Sequence, residues 1–319
     1  MRLLLAAGLC LGLVVAGCGG SDEDATVPPA PDRSAQVKRL EDRIDRLRDQ
    51  IDDEQAAREH AAAAADPEAD PGVGAMLGRL GGSAGLAVGA PGSGGPDLSG
   101  GSFGTGDAWS TIKVPIVARV LQDAGGPSGL TAAQESEITN AITLSDNDAA
   151  AALFADLEAE HGGLGGASEA VGEVLRQAGD GTTVISTQGR DGFSTYGQTE
   201  WSLADQFRYM AALAGGCVSD SASRAYLLGK MAAVGGSDTY GLGAAGFPAK
   251  WKGGWGPGLD GKYLVRQMGV MDVNGKEIVV AMAAIPDDGS FESGQSMLSH
   301  IARWTAAHLA DRVSAPTGC

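Results

Sequence analysis

The stretch KYLVRQMGVMDVNGKEIVVAMAAI, residues 262–285, constrains this chain more than any other. Two strand-like apolar runs meet at Asn274-Gly275, a dipeptide favoured in the tightest hairpin turns because both central residues there take a positive φ. The segment therefore reads as an antiparallel hairpin near the C-terminal end. Far upstream, GLAVGA (85–90) and DLSGGSF (97–103) read as two more short strands, joined through Gly and Pro. Residues 110–230 between them are mainly helical. TAAQ at Thr131–Gln134 fits a capping box, and SLAD at Ser202–Asp205 is a looser form of the same signal. A final helix from about Gly294 to Val313 carries apolar positions suited to covering a sheet. The expected domain, 73–319, is thus α+β: an antiparallel sheet of about five strands, drawn from both ends of the chain and packed by helices.

Upstream of the domain the chain changes character. Residues 1–18, MRLLLAAGLCLGLVVAGC, place Arg2 before an apolar stretch too short to span a bilayer comfortably. The stretch ends in VAGC, which resembles the lipobox of bacterial lipoproteins and marks Cys18 for lipidation; an ordinary signal peptide that contains a cysteine is the alternative. With 1–17 removed, the protein is expected outside the cytoplasmic membrane, lipid-anchored to its outer face. Residues 18–35 read as a disordered linker. Across 36–66, Val37, Leu40, Ile44, Leu47 and Ile51 recur at alternating spacings of three and four, an a/d seam of little more than two heptads. That stalk is either a short coiled coil that makes a homodimer or a lone helix. Proline stops it in AAAAADPEADPG. Cys10 leaves with the leader, so Cys217 and Cys319 remain. An exported chain favours one disulfide between them, with two free thiols as the alternative.

The net charge of −17 and pI near 4.5 exclude nucleic acid as a natural partner, since phosphate binding needs a basic face. Fifty glycines make glycine motifs cheap. GGSAG (81–85) and GGSFG (100–104) match the nucleophile-elbow pattern but lack the strand before and the helix directly after that it requires. GPGLDGKY (256–263) mimics a phosphate loop but lacks the final Ser or Thr and leads into a strand. His60, His161, His300 and His308 show no supporting pattern, and neither a metal-ligand spacing nor a cofactor motif is found.

GDAWSTIKVPIVARV (106–120) is different, because Lys113 follows Ser110 by three residues and the two share a helix face. A serine hydroxyl is a poor nucleophile until a neighbour takes its proton. Lysine can do so only when neutral, which needs a pKa far below about 10.4; burial and a second cation both push it down. Pro115 has no N–H to donate, so Ser110 to Pro115 must lie within a helix's first turn or an irregular start.

Downstream, Ser145-Asp146-Asn147 heads an alanine-rich helix, and Lys252-Gly253-Gly254 lies on a strand just before the hairpin. Order, local structure and residue types together resemble the serine β-lactamase and penicillin-binding protein superfamily, in its class A β-lactamase-like branch. The family's motifs are S-x-x-K, S-D-N and K-[ST]-G, and the likeness covers most of 75–313. It implies Ser110 as nucleophile, Lys113 as its base, and Ser145 as a proton relay between Lys113, Lys252 and the leaving group. It also implies that Asn147 holds the substrate's amide and that backbone N–H groups of Ser110 and Trp255 hold the oxyanion. Gly253 and Gly254 line the substrate strand, and Arg266 on the next strand is a candidate for anchoring a substrate carboxylate.

Three departures matter. Gly253 replaces the usual hydroxyl residue. The Ser110-to-Ser145 gap is shorter than in class A β-lactamases, which implies a reduced all-helical subdomain. No glutamate occurs between Glu173 and Glu200, where the family's deacylating base precedes TYGQTEWS; Glu200 matches the start of the following helix. Three readings follow: a membrane-anchored serine hydrolase or acyltransferase acting on a peptide or β-lactam-like envelope substrate, a non-catalytic binding or scaffolding lipoprotein, or a β-lactamase with Asp180 or Asp191 as substitute base.

Overall fold

The computed structural model describes residues 71–318, together with Lys38. The expected leader with Cys18, the linker, the stalk (Lys38 apart) and Cys319 lie outside the described residues, so the Cys217–Cys319 pairing does too.

The sheet has five antiparallel strands: β1 (Gly82–Gly89), β2 (Leu98–Gly101), β5 (Ala249–Pro257), β6 (Tyr263–Val273) and β7 (Lys276–Pro286), in the order β2-β1-β7-β6-β5. The hairpin turns where expected. Asn274 at φ 58° and Gly275 at φ 86° connect the pair Val273↔Lys276, the left-handed pair a two-residue loop needs. Strand β1 joins from the other end of the domain and pairs with β7 from Gly82↔Pro286 to Gly89↔Val279. Residues on β7 alternate between two cores. Val279, Ala281 and Ala283 face a cluster shared with the helices between residues 113 and 232, whereas Ile278, Val280, Met282 and Ala284 face the terminal helices. That period of two is what a sheet buried on both sides requires.

One terminal helix, α1 (Pro71–Leu77), was not foreseen; Val73, Met76 and Leu77 tie it into the second core. On the other helix, α8 (Phe291–His308), Met297, Leu298, Ile301 and Ala302 cover the same face. Ser290 caps α8 by accepting from Ser293 N, so it begins a turn earlier than expected and closes in a 3-10 turn at Ala310–Arg312.

Across the other face lie α2 (Lys113–Asp123), α3 (Ala132–Thr143), α4 (Asn147–His161), α5 (Leu164–Gln177), α6 (Leu203–Gly215) and α7 (Ser221–Ala232). Both halves of the Thr131–Gln134 capping box form at the head of α3, and Ser202 caps α6 through Asp205 N. Glu200 lies not on that helix but on β4 (Glu200–Ser202), which pairs with β3 (Thr105–Asp107) in a two-stranded sheet that the sequence did not announce. No helix among the described residues is long and apolar enough to cross a membrane.

Candidate active site

Strand β3 delivers the chain to the candidate nucleophile. Ala108 N donates to Thr199 O at 2.8 Å. Trp109 follows at φ 48°, a left-handed backbone that a bulky residue keeps only when its surroundings hold it. They do so here. The indole lies over Gly256, where an added Cβ would sit 2.4 Å from the ring, and Phe193 meets it edge-on at 5.2 Å. The Arg190 guanidinium caps both rings, 5.7 Å from Trp109 and 5.0 Å from Phe193, and donates to Pro257 O at 2.7 Å. The loop 178–199 is thereby clasped to the turn that carries Ser110.

Trp109–Ile112 form a 3-10 turn that runs into α2, of which Lys113 is the first residue and Pro115 the third. The first N–H groups of a helix have no partner within it, so the missing proline donor leaves no bond unmade. Opposite the serine runs β5, the edge strand of the sheet. It approaches so closely that a Cβ on Gly254 would lie 2.8 Å from Ser110 N and 2.9 Å from Ala108 O and Thr111 N. Only glycine permits that contact.

Lys113 is 2% exposed. Its Nζ donates to Ser145 O at 2.6 Å, Asp146 O at 3.1 Å and Asn147 Oδ1 at 2.8 Å. Lys252 is fully buried and donates to Ser145 Oγ at 2.8 Å and Gly253 O at 2.9 Å. Ser145, itself left-handed at φ 58°, joins the two cations: its carbonyl receives one and its hydroxyl the other. Asp146 accepts from Ala149 N as the cap of α4, which fixes Asn147 at that helix's head. Burial, and then the charge of Lys252, bring Lys113 down to about 7. Burial brings Lys252 down to about 8, against the pull of Asp238. The pair is therefore poised to exchange protons near neutral pH. The three N–H donors of a Lys113 ammonium meet three acceptors, and the Ser110 hydroxyl is not among them.

Two sequence assignments change. Arg266 does not reach the groove. It is fully buried and donates to Gln206 Oε1 at 2.8 Å and to the carbonyls of Gly106, Asp107 and Trp201 at 2.8, 3.0 and 3.2 Å. Arg266 pairs with Gly254, on the sheet face that also carries Lys252, but these four acceptors hold its guanidinium in the core and away from the groove; Gln267 sits opposite Gly253. Asp180 is equally committed: it is fully buried, with one oxygen accepting from Thr182 N and Thr183 N and the other from Trp201 Nε1 at 3.1 Å. Its burial keeps solvent water from both oxygens. Asp191 is exposed on the 178–199 loop. In the Tyr196–Gln198 turn, packed against Trp109, Gln198 turns its side chain back onto Arg190 N at 2.8 Å.

Sequence reasoning missed Asp238, 4% exposed, whose charge acts on both lysines from a 3-10 turn with no motif to mark it. Trp255 stacks on Phe291, with centroids 5.2 Å apart at 29°. Away from the site, folding brings His161 beside Asp123 and Glu160. Arg119 holds Asp123 through both of its oxygens, which disfavours a cation there.

The architecture and the three converging motifs define the fold of the serine β-lactamase and penicillin-binding superfamily. Solved structures agree on that fold. A β-lactamase from Desulfarculus baarsii is 18% identical, with a TM-score of 0.55 over 72% of this chain and 94% of that one. A class A β-lactamase from Mycobacterium abscessus is 19% identical, with a TM-score of 0.56 over 72% and 94%. A mutant of PBP-A, in acyl-enzyme complex with penicillin G, is 22% identical, with a TM-score of 0.56 over 73% and 92%. No family model and no curated protein matches the chain.

Proposed function

We propose that this protein is a serine acyl-transfer enzyme that forms a covalent adduct at Ser110 with an envelope substrate, a peptide or a β-lactam-like mimic, and releases it slowly. The observation that carries this reading is the buried Lys113, brought to about 7 beside Lys252. At neutral pH about half of such a lysine is neutral; loss of one proton leaves two donors for three acceptors, so one of the contacts to residues 145–147 gives way and the lone pair is free to turn toward Ser110. The lone pair then takes the Ser110 proton, and Lys252 and Ser145 return one to the leaving group. Slow release follows from the lack of a glutamate in the loop that precedes Tyr196 and from the burial of Asp180, both of whose oxygens already accept hydrogen bonds.

One observation favours a second reading, a binding or scaffolding module without turnover: all three Lys113 bonds go to residues 145–147 rather than to Ser110. Intact mass after mixing residues 70–319 with a penicillin separates the two. An adduct that Ser110→Ala abolishes supports the enzyme. No adduct and no penicillin consumed supports the module, and rapid consumption without an adduct would show that a base outside this account deacylates the serine.

The leader and VAGC motif support lipid anchoring at Cys18 on the outer membrane face, with a Cys217–Cys319 bridge formed after export. Cys18→Ser should release the protein from membranes; continued retention would place the anchor elsewhere.

A further inference from the structure

Trp109 and Gly256 flank the two N–H groups that the resemblance assigns to the oxyanion: Trp109 precedes Ser110, and Gly256 follows Trp255. They touch. A Cβ on Gly256 would lie 2.4–2.5 Å from three atoms of the Trp109 indole. The ring is therefore a spacer between the serine turn and β5, and it works only while it stays down on the strand. Trp109 alone does not ensure that, because a bulky residue at φ 48° is strained and relaxes unless its neighbours forbid it.

Arg190 is placed to forbid it, since its guanidinium reaches both arms at once. On the serine arm it lies 5.7 Å from the Trp109 ring centre and 3.7 Å from the Asp107 carboxylate on β3. On the strand arm Nη2 donates to Pro257 O at 2.7 Å, one residue beyond Gly256. Its own loop fixes its orientation. Nε donates to Gln198 Oε1 at 3.2 Å, an oxygen that also accepts from Arg190 N, and the guanidinium lies over the Phe193 ring at 5.0 Å. A planar fork makes these bonds and ring contacts together, whereas the point charge of a lysine cannot.

We infer that Arg190 is a positioning residue for the oxyanion hole. It presses the Trp109 ring onto Gly256 and so keeps the Ser110 and Trp255 N–H groups at the spacing a single oxygen needs. The inference rests on the acyl-transfer reading for the use of the hole, but the clamp is also tested without it. No proton passes through Arg190. As Ser110 Oγ bonds to the carbonyl carbon, the C=O π pair moves onto oxygen, and both N–H groups must point at that charge. A displaced donor costs rate rather than ground-state binding.

The experiment compares the parent chain with Arg190→Met, a change that does not open the core because the Arg190 side chain is 30% exposed. Penicillin adduct formation is followed by mass over a range of concentrations and pH. The limiting acylation rate should fall roughly ten- to hundredfold, less than for deleting a donor outright. The half-saturating concentration and the position of the acid limb should not move, because Lys113 is untouched. Arg190→Lys should fall between the two proteins. Binding of phenylboronic acid, whose tetrahedral adduct on Ser110 puts an oxygen in the same hole, should weaken by a similar factor. Hydrogen exchange without any ligand should quicken in 106–112 and 252–258 together. An unchanged limiting rate, a loss confined to half-saturation, a displaced acid limb, or faster exchange confined to 186–198 would each overturn the assignment. Failure of the acyl-transfer reading looks different: the parent takes up neither penicillin nor boronate, while exchange still quickens at both arms in Arg190→Met.

Discussion

Replacing Lys252 with Met should move the acid limb of Ser110 acylation upward. Lys113 Nζ and Lys252 Nζ lie 2.6 and 2.8 Å from two oxygens of the same residue, Ser145. Those contacts cap the separation of the two ammonium groups at about 9 Å, a repulsion of about 2 kcal/mol at an effective dielectric near 20. Removing it should raise Lys113 from about 7 by about 1.5 pH units. At pH 7 the neutral fraction then falls from about half to a few per cent, roughly a fifteenfold loss of acylation rate that shrinks as pH approaches 9. The substitution also takes a donor from Ser145, so the height of the profile is expected to fall; the position of its acid limb is the informative quantity. Second-order rates of adduct formation from pH 5.5 to 9.5, followed by mass, give that position. An acid limb unmoved by Lys252→Met would mean that Lys113 is not the base or that Lys252 does not set its charge.

Other consequences can be checked independently. Gly254→Ala drives a methyl group to 2.8 Å from Ser110 N, so chemical denaturation should show a loss of about 1–3 kcal/mol; unchanged stability would show that β5 and the serine turn are not in contact as described. Arg266→Met leaves the Gln206 and carbonyl acceptors unpaired in the core, so it should destabilise by about 3–5 kcal/mol. A changed affinity for substrate carboxylate at unchanged stability would instead return Arg266 to the groove. Both site lysines bind their protons less tightly in the folded protein than at their ordinary value of 10.5. The unfolded chain therefore holds more protons above about pH 7, and stability should rise between pH 7 and about pH 9. Urea midpoints should show that rise and a smaller one in Lys113→Met; a fall over the same range would contradict the shifts.

How far the sequence carries depends on whether its signal is local. Asn274-Gly275, the Thr131–Gln134 box and the two apolar runs that flank the turn each encode their geometry within a few residues, and each element formed as expected. Ser110, Lys113, Ser145 and Lys252 were legible because their order and local context travel together. Arg266 was misassigned because its partners are distant in sequence: pairing with β5 and β7 puts it on the face of Gly254, where Gln206 and the carbonyls of Gly106, Asp107 and Trp201 take up its guanidinium. The same pairing put Gln267, unremarked in the sequence, opposite Gly253. Asp238 carried no signal at all, since its charge acts on the lysines only after the segment 236–244 folds back against β5. Strands β3 and β4 are three residues each, too short for any periodicity.

The pairing of β1 with β7 also sets a schedule. Ser110, Lys113, Ser145 and Lys252 all lie on the chain between these two strands, and β5 is held in the sheet only through β6 and β7. Until β7 is synthesised and docked, the edge strand has no place beside Ser110 and Lys252 has no low-dielectric pocket, so Lys113 keeps its proton. A partly made or partly folded chain thus carries an inert serine. Reactivity switches on with closure of the sheet, and a chain that stops short of Lys276 should stay unlabelled by any acylating probe.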